Sequence, residues 1–159
     1  MSRETSTGKQ FEDVIEIVIS RSCKKNNLGR KAQAYVGAKP GGGKHIIDWE
    51  LWTLEDENFR ALLSCKVQNS GGTAEEKIPY EVLKLLHTMD HDSRYRFGWI
   101  VLGGSGWNPG LLNYYLNDLS QHLPDMEGRI KILRTDDLIS TDLVIPGSKI
   151  ALSSDHNTH

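Results

Sequence analysis

The sequence predicts a mixed α/β fold, one central sheet flanked by helices, in the order helix, three strands, helix, strand, helix, strand. Three observations point to it. Apolar residues recur at helical spacing over 10–25 and over 78–90. Apolar and polar residues alternate over 45–52 and 59–68, as they do in a half-buried strand. Residues 97–102 form a short, wholly apolar stretch between two helical patterns, the signature of a buried strand.

Each element has its own warrant. Residues 1–9 read as a polar lead-in. Phe11, Val14, Ile15, Val18 and Ile19 give the first helix a wide apolar face, with Glu12, Asp13, Glu16 and Ser20 on its polar stripe. Asn26-Asn27-Leu28-Gly29 ends it with residues that tolerate left-handed backbone. Residues 32–38 form a short strand, and Pro40-Gly41-Gly42-Gly43 a turn. In the next strand Ile47, Trp49 and Leu51 point one way and Asp48 and Glu50 the other. In the third strand Phe59, Ala61, Leu63, Cys65 and Val67 face one side, and Arg60, Leu62, Ser64, Lys66 and Gln68 the other. Asn69 to Gly72 breaks the pattern. A helix then carries Ile78, Val82, Leu85, Leu86 and Met89, with Pro79 suited to its first turn. Asn108-Pro109 caps a further helix over 111–123, Arg129 to Leu133 is the last strand, and Thr135-Asp136-Asp137 caps a short helix. The whole of 1–159 is expected to be one domain: a core of about 9–105, a helix and strand over 108–139, and a polar tail over about 148–159.

Composition narrows the function classes. Hydrophobic residues at 38% and charged residues at 25% exclude a disordered chain. No apolar run approaches the roughly 18 residues of a membrane span. Met1-Ser2-Arg3-Glu4 leads into polar sequence rather than a secretory signal, and two cysteines, Cys23 and Cys65, make neither a disulfide framework nor a zinc knuckle. A reducing cytoplasm is the expectation. The formal charge of −2 excludes a protein that holds nucleic acid by bulk charge alone.

Two neighbouring strands carry charge on one face: Asp48 and Glu50 on the first, Ser64, Lys66 and Gln68 on the second. A hairpin of this length can bring Asp48 and Lys66 together. Buried unpaired charge is costly, so that face is either solvated or a site. As a solvated face it would hold a cross-strand salt bridge. As a site, its hard oxygen ligands suit Mg²⁺, and a carboxylate-held Mg²⁺ beside a lysine suits attack by water on a phosphodiester. Other motifs carry less. Gly37 to His45 is spaced wrongly for a phosphate loop and precedes a strand, which excludes nucleotide binding there. His87 and His91 lack a third zinc ligand. Lys24, Lys25, Arg30 and Lys31 form a basic run that suits either a solvated loop or DNA phosphates.

Phe11-Glu12 on the first helix, Ile46-Ile47-Asp48 on one strand and Ser64-Cys65-Lys66-Val67-Gln68 on the next resemble the PD-(D/E)XK nuclease superfamily. The resemblance implies a restriction-endonuclease-like core. Ser64 to Gln68 followed by Gly72-Thr73-Ala74-Glu75-Glu76-Lys77-Ile78-Pro79 is similar to restriction-endonuclease catalytic domains, including the small catalytic subunits of heterodimeric type IIS enzymes. What it implies is a Mg²⁺-dependent endonuclease that cuts double-stranded DNA to 5′-phosphate and 3′-hydroxyl ends beside a larger DNA-recognition subunit. Asp48, Lys66 and Gln68 would be catalytic, and Asp48, Glu12, the Cys65 carbonyl and Glu76 would hold the metal. Ser64 departs from the pattern, because the family's acid stands there. Similar families recruit a helix carboxylate instead, for which Glu12, Glu76 and Glu81 are candidates, with Glu50 a fourth. Thr73-x-x-Glu76 also reads as a capping box. A Holliday junction resolvase, a stand-alone homodimeric restriction enzyme and an inactive nuclease-like interaction subunit remain alternatives.

Overall fold

The computed structural model describes residues 3–70 and 73–148, with side chains from residue 9 onward. Gly72 and the tail beyond Ser148 lie outside the described residues. The elements are α1 (Arg3–Asn26), β1 (Leu28–Ala38), β2 (Lys44–Thr53), β3 (Arg60–Val67), α2 (Ile78–His91), β4 (Tyr95–Gly103), α3 (Pro109–Asn117), β5 (Ile130–Arg134) and α4 (Thr135–Ser140). The five strands lie in sequence order, β1-β2-β3-β4-β5. β1, β2 and β3 pair antiparallel, and β3, β4 and β5 parallel. The expected α/β class and mixed sheet are therefore the architecture found.

The sheet buries an apolar cluster on each face. Ile15, Val18 and Ile19 of α1 pack on Leu51, Ala61, Leu63 and Val101, with Leu138 of α4 closing the same layer. Ile78, Val82 and Leu85 of α2 pack on the other face against Ile47, Leu62, Ile100 and Ile132, with Tyr115 of α3 alongside. Side chains of this kind each contribute about 1.5–3 kcal/mol when fully buried. β3 and β4 are covered on both faces, which is why 97–102 reads as a continuous apolar run.

Several expectations need correction. α1 begins at Arg3, so the supposed lead-in is largely helix. β1 begins at Leu28, because its ladder with β2 runs from Leu28↔Thr53 onward and decides what local sequence did not. Asn27 takes the left-handed turn at φ +54°, whereas Gly29 belongs to the strand. A Cβ on Gly29 would lie 2.3 Å from the Trp52 indole, so the glycine makes room for that ring. The Asn108 side chain accepts from the Leu111 N–H as expected, but α3 stops at Asn117, and single 3₁₀ turns follow at Leu119–Gln121 and Pro124–Met126. Asn117 folds its amide back onto the Asn113 carbonyl, and such side-chain bonds compete with helix propagation. No capping box forms at Thr73-x-x-Glu76: a 3₁₀ turn over Glu75–Lys77 leads into α2 without a side-chain cap.

Candidate active site

β2 leaves β3 at Asp48. The β2–β3 ladder runs from Trp52↔Arg60 to Trp49↔Leu63 and ends there. Continuing that register would set Ile47 opposite Cys65, but the Asp48 carboxylate takes over, with Oδ2 accepting the Cys65 N–H at 2.7 Å. A strand residue sends its N–H and C=O to the same edge. The Cys65 carbonyl therefore faces the same gap.

The alternation of β2 breaks at this point. Ile47 packs in the α2-side cluster, whereas Trp49 and Leu51 pack in the α1-side cluster, contrary to the expectation that all three share a face. Ala32, Gln33, Asp48 and Trp49, adjacent pairs on both strands, all line one cleft of about 440 Å³. Gln33 has φ +52°, and this left-handed residue marks where the ribbon turns over. Phe11, Glu12, Ile15, Glu16, Cys65 and Val67 form the rest of the wall. A Cβ on Gly103 would lie 2.2 Å from the Phe11 ring, so that glycine lets Phe11 sit against the sheet and brings Glu12 to the cleft.

Across β3, Ser64 and Lys66 meet a carboxylate from α2. The Ser64 hydroxyl donates to Glu81 Oε1 at 2.7 Å. Lys66 Nζ lies 3.4 Å from Glu81 Oε2, and Lys84 Nζ lies 2.7 Å from the same oxygen. Glu81 is only 3% exposed. Burial pushes its carboxyl upward, but the bonds from Lys84 and Ser64 and the charges of Lys66 and Lys84 outweigh that and hold it below the ordinary range. Glu81 thus stays ionised at neutral pH. Asp48 goes the other way: burial raises its carboxyl, against the Cys65 N–H, the Lys66 charge and a bond from Gln33, while Glu81 adds to the rise. Burial and the nearby Asp48 charge push the Cys65 thiol up as well, so it stays a neutral thiol and offers its carbonyl rather than its sulfur.

The other sequence candidates divide. Glu12 is exposed and lines the cleft with Asp48. Glu76 is exposed on the 3₁₀ turn before α2. Gln68 is buried and committed elsewhere: its amide donates to Glu75 and, at 3.1 Å, to the Gly106 carbonyl, and its oxygen accepts the Glu75 N–H at 3.1 Å. Glu50 is buried against the Arg60 guanidinium. Lys25 of the basic run pairs with Asp142 at 2.7 Å. His87 docks its Nδ1 on the Ala38 carbonyl at 3.0 Å and His91 on the His87 carbonyl at 2.8 Å. Glu81 was among the helix-carboxylate candidates but outside the ligand set the resemblance implied. Its signal was a carboxylate inside the Ile78, Val82 and Leu85 stripe of α2, a place that demands a partner.

Among the described residues, no three His, Cys, Asp or Glu side chains form a group that could hold a metal ion. The donors at the strand split are instead one carboxylate and one carbonyl, with Glu81 across β3. That set fits Mg²⁺, which is usually held by one or two carboxylates and completed by waters and substrate phosphate.

The structure contains no helix long and apolar enough to cross a membrane among the described residues. A family model described as a PD-(D/E)XK nuclease superfamily domain matches residues 5–142. No curated protein and no solved structure matches the chain.

Proposed function

This chain belongs to the PD-(D/E)XK nuclease superfamily, and from that premise we propose that it is a Mg²⁺-dependent DNA endonuclease in which Glu81 replaces the acid missing at Ser64. One observation carries the reading: the Glu81 carboxylate sits 2.7 Å from the Ser64 hydroxyl. Its Oε1 thus lies where a carboxylate at position 64 would reach, and its Oε2 lies 3.4 Å from Lys66 Nζ.

Asp48 and the Cys65 carbonyl would hold the Mg²⁺, with Glu81 as the second acid. Bound there, the ion would act as a Lewis acid on the scissile phosphate and lower the pKa of a coordinated water. The roles of the chain itself follow from its geometry. The Cys65 N–H fixes one Asp48 oxygen, and Asp48 lines the cleft. Glu81, itself bonded by Ser64, pairs with the Lys66 ammonium at 3.4 Å, and Lys66 would there stabilise negative charge developing on the phosphorane. Lys84 balances Glu81, so Lys66 can turn to substrate without leaving a buried carboxylate unpaired.

The restriction role is the finer part of the proposal. Among the described residues the elements beyond β4 are short: the 9-residue α3, the 5-residue β5 and the 6-residue α4. With a net charge of −2 this suits a catalytic subunit brought to its site by a larger DNA-recognition partner. The test is Lys66→Ala in a plasmid-nicking assay with Mg²⁺. Removing charge needed mainly in the transition state should cut cleavage by about 10²-fold or more with DNA binding little changed. Cleavage at the normal rate by Lys66→Ala would disprove the site.

A further inference from the structure

The β1–β2 ribbon runs on beyond the last β2–β3 pair, Trp49↔Leu63, through Tyr35↔Ile46 to Ala38↔Lys44. It forms a two-stranded arm that projects past the strand split. One face of the arm is fixed. Ala34, Val36 and Ile47 are buried in the α2-side cluster, and His45, 1% exposed, meets Thr88 at 2.8 Å. The arm is therefore rigid.

The other face is exposed. Tyr35 is 61% exposed and Ile46, directly opposite, is 48% exposed. An aromatic and a β-branched residue paired across two strands is a packing unit that sheets normally cover. The Lys44 ammonium stands 5.9 Å from the Tyr35 ring, and Lys39 begins the turn at the tip. Ile46 and Asp48 are two apart on one strand, so this face leads into the cleft. Charge follows the same course. Between Glu16 and Asp48 the sequence has seven cations and no carboxylate, in a chain whose net charge is −2.

We propose that this face of the arm is a duplex-DNA contact that lies in a groove beside the scissile phosphate, with Tyr35 and Ile46 against sugars and base edges and Lys39 and Lys44 on phosphates. The inference rests on the endonuclease reading. A two-stranded ribbon fits the major groove. A single-strand track would need successive aromatic platforms, and Tyr35 is the sole aromatic on the arm. The contact supplies a local basic patch without making the chain a strong non-specific binder.

Fluorescence anisotropy in EDTA, which separates binding from cleavage, tests this on labelled duplex and single-stranded DNA at about 50 mM salt. Tyr35 is exposed, so Tyr35→Ala should fold normally, as a circular-dichroism melt would verify. It should weaken duplex binding by about 5- to 20-fold. Lys39→Gln with Lys44→Gln should reduce the slope of log K against log salt by about 2. Unchanged duplex affinity and slope in both variants would overturn the inference. So would weakened binding of single strands alone. Neither result touches the Lys66→Ala cleavage test, so the arm and the active site can fail separately.

Discussion

Asp48→Asn is expected to raise the thermal stability of the metal-free protein while abolishing cleavage. Burial holds the Asp48 carboxyl above its ordinary range, against the pull of the Cys65 N–H and Lys66. A group whose folded pKa is raised contributes stability below its unfolded pKa and loses it as pH rises through the folded one. At pH 7 the ionised form is therefore a net cost. Asparagine still offers an oxygen to the Cys65 N–H, now 2.7 Å from the carboxylate. It gives up the charge-assisted share of that bond, about 1 kcal/mol, and the attraction to Lys66. It also removes the larger cost of dehydrating an anion, which reaches several kcal/mol for a fully buried one. The balance is a gain of about 1 kcal/mol, or a rise of about 2–4 °C for a chain of this size. Differential scanning calorimetry in EDTA at pH 7 reads the shift, and plasmid nicking with Mg²⁺ reads the activity. Adding Mg²⁺ to about ten times its Kd should stabilise the unsubstituted protein by about 1.4 kcal/mol and the variant far less. A clear fall in melting temperature for Asp48→Asn, with nicking retained, would show an ordinary cross-strand salt bridge and refute the reasoning.

Three further expectations follow from the same geometry. Among Glu12→Gln, Glu50→Gln, Glu76→Gln and Glu81→Gln, only Glu81→Gln should combine a loss of about 10²-fold in cleavage with a loss of about 1–3 kcal/mol in stability; nicking assays over a Mg²⁺ series and thermal melts check it, and four near-normal variants would require a different metal site. Because Glu81 is held below its ordinary range, its contribution is present at neutral pH and disappears as pH falls through its folded pKa; melting temperature should therefore fall less steeply on acidification in Glu81→Gln than in the unsubstituted protein, and parallel curves would contradict the assignment. Gly103→Ala should destabilise by about 1–3 kcal/mol and slow cleavage, because its Cβ would sit 2.2 Å from the Phe11 ring that seats α1 beside the cleft; an unchanged melt would show that Phe11 can move away freely.

Most of the fold was legible in the sequence because periodicity reports burial. The stripe of Ile15, Val18 and Ile19, the alternation of β3 and the apolar run of β4 each record which side meets a neighbour. Long-range pairing was not legible. Residues 28–31 became strand because β2 lies opposite them, and nothing local announces that. The reversal at Gln33 was also hidden, since a non-glycine residue at φ +52° leaves no mark in the sequence. That reversal is why strict alternation misassigned Ile47 and grouped Glu50 with Asp48. Glu50 is instead taken by Arg60, a residue the same alternation had put on a polar face without a partner.

Moving the acid from strand to helix changes what the site depends on. Ser64 is 1% exposed in the centre of a strand covered on both faces. A carboxylate there would have to find its counter-charges within the sheet. From α2, Glu81 arrives with Lys84 one turn away; one of its oxygens faces both Lys84 and Lys66, and the other reaches Ser64. Its position is then set by how α2 docks, through Ile78, Val82 and Leu85, each 0% exposed. The serine is small enough to admit the incoming carboxylate and polar enough to bond it. Alanine at 64 would leave that oxygen short of a donor, and a larger residue would push α2 away from the sheet. Ser64 is therefore less a lost ligand than the socket for its replacement, and the geometry of Lys66 follows from the packing of α2 as much as from β3 itself.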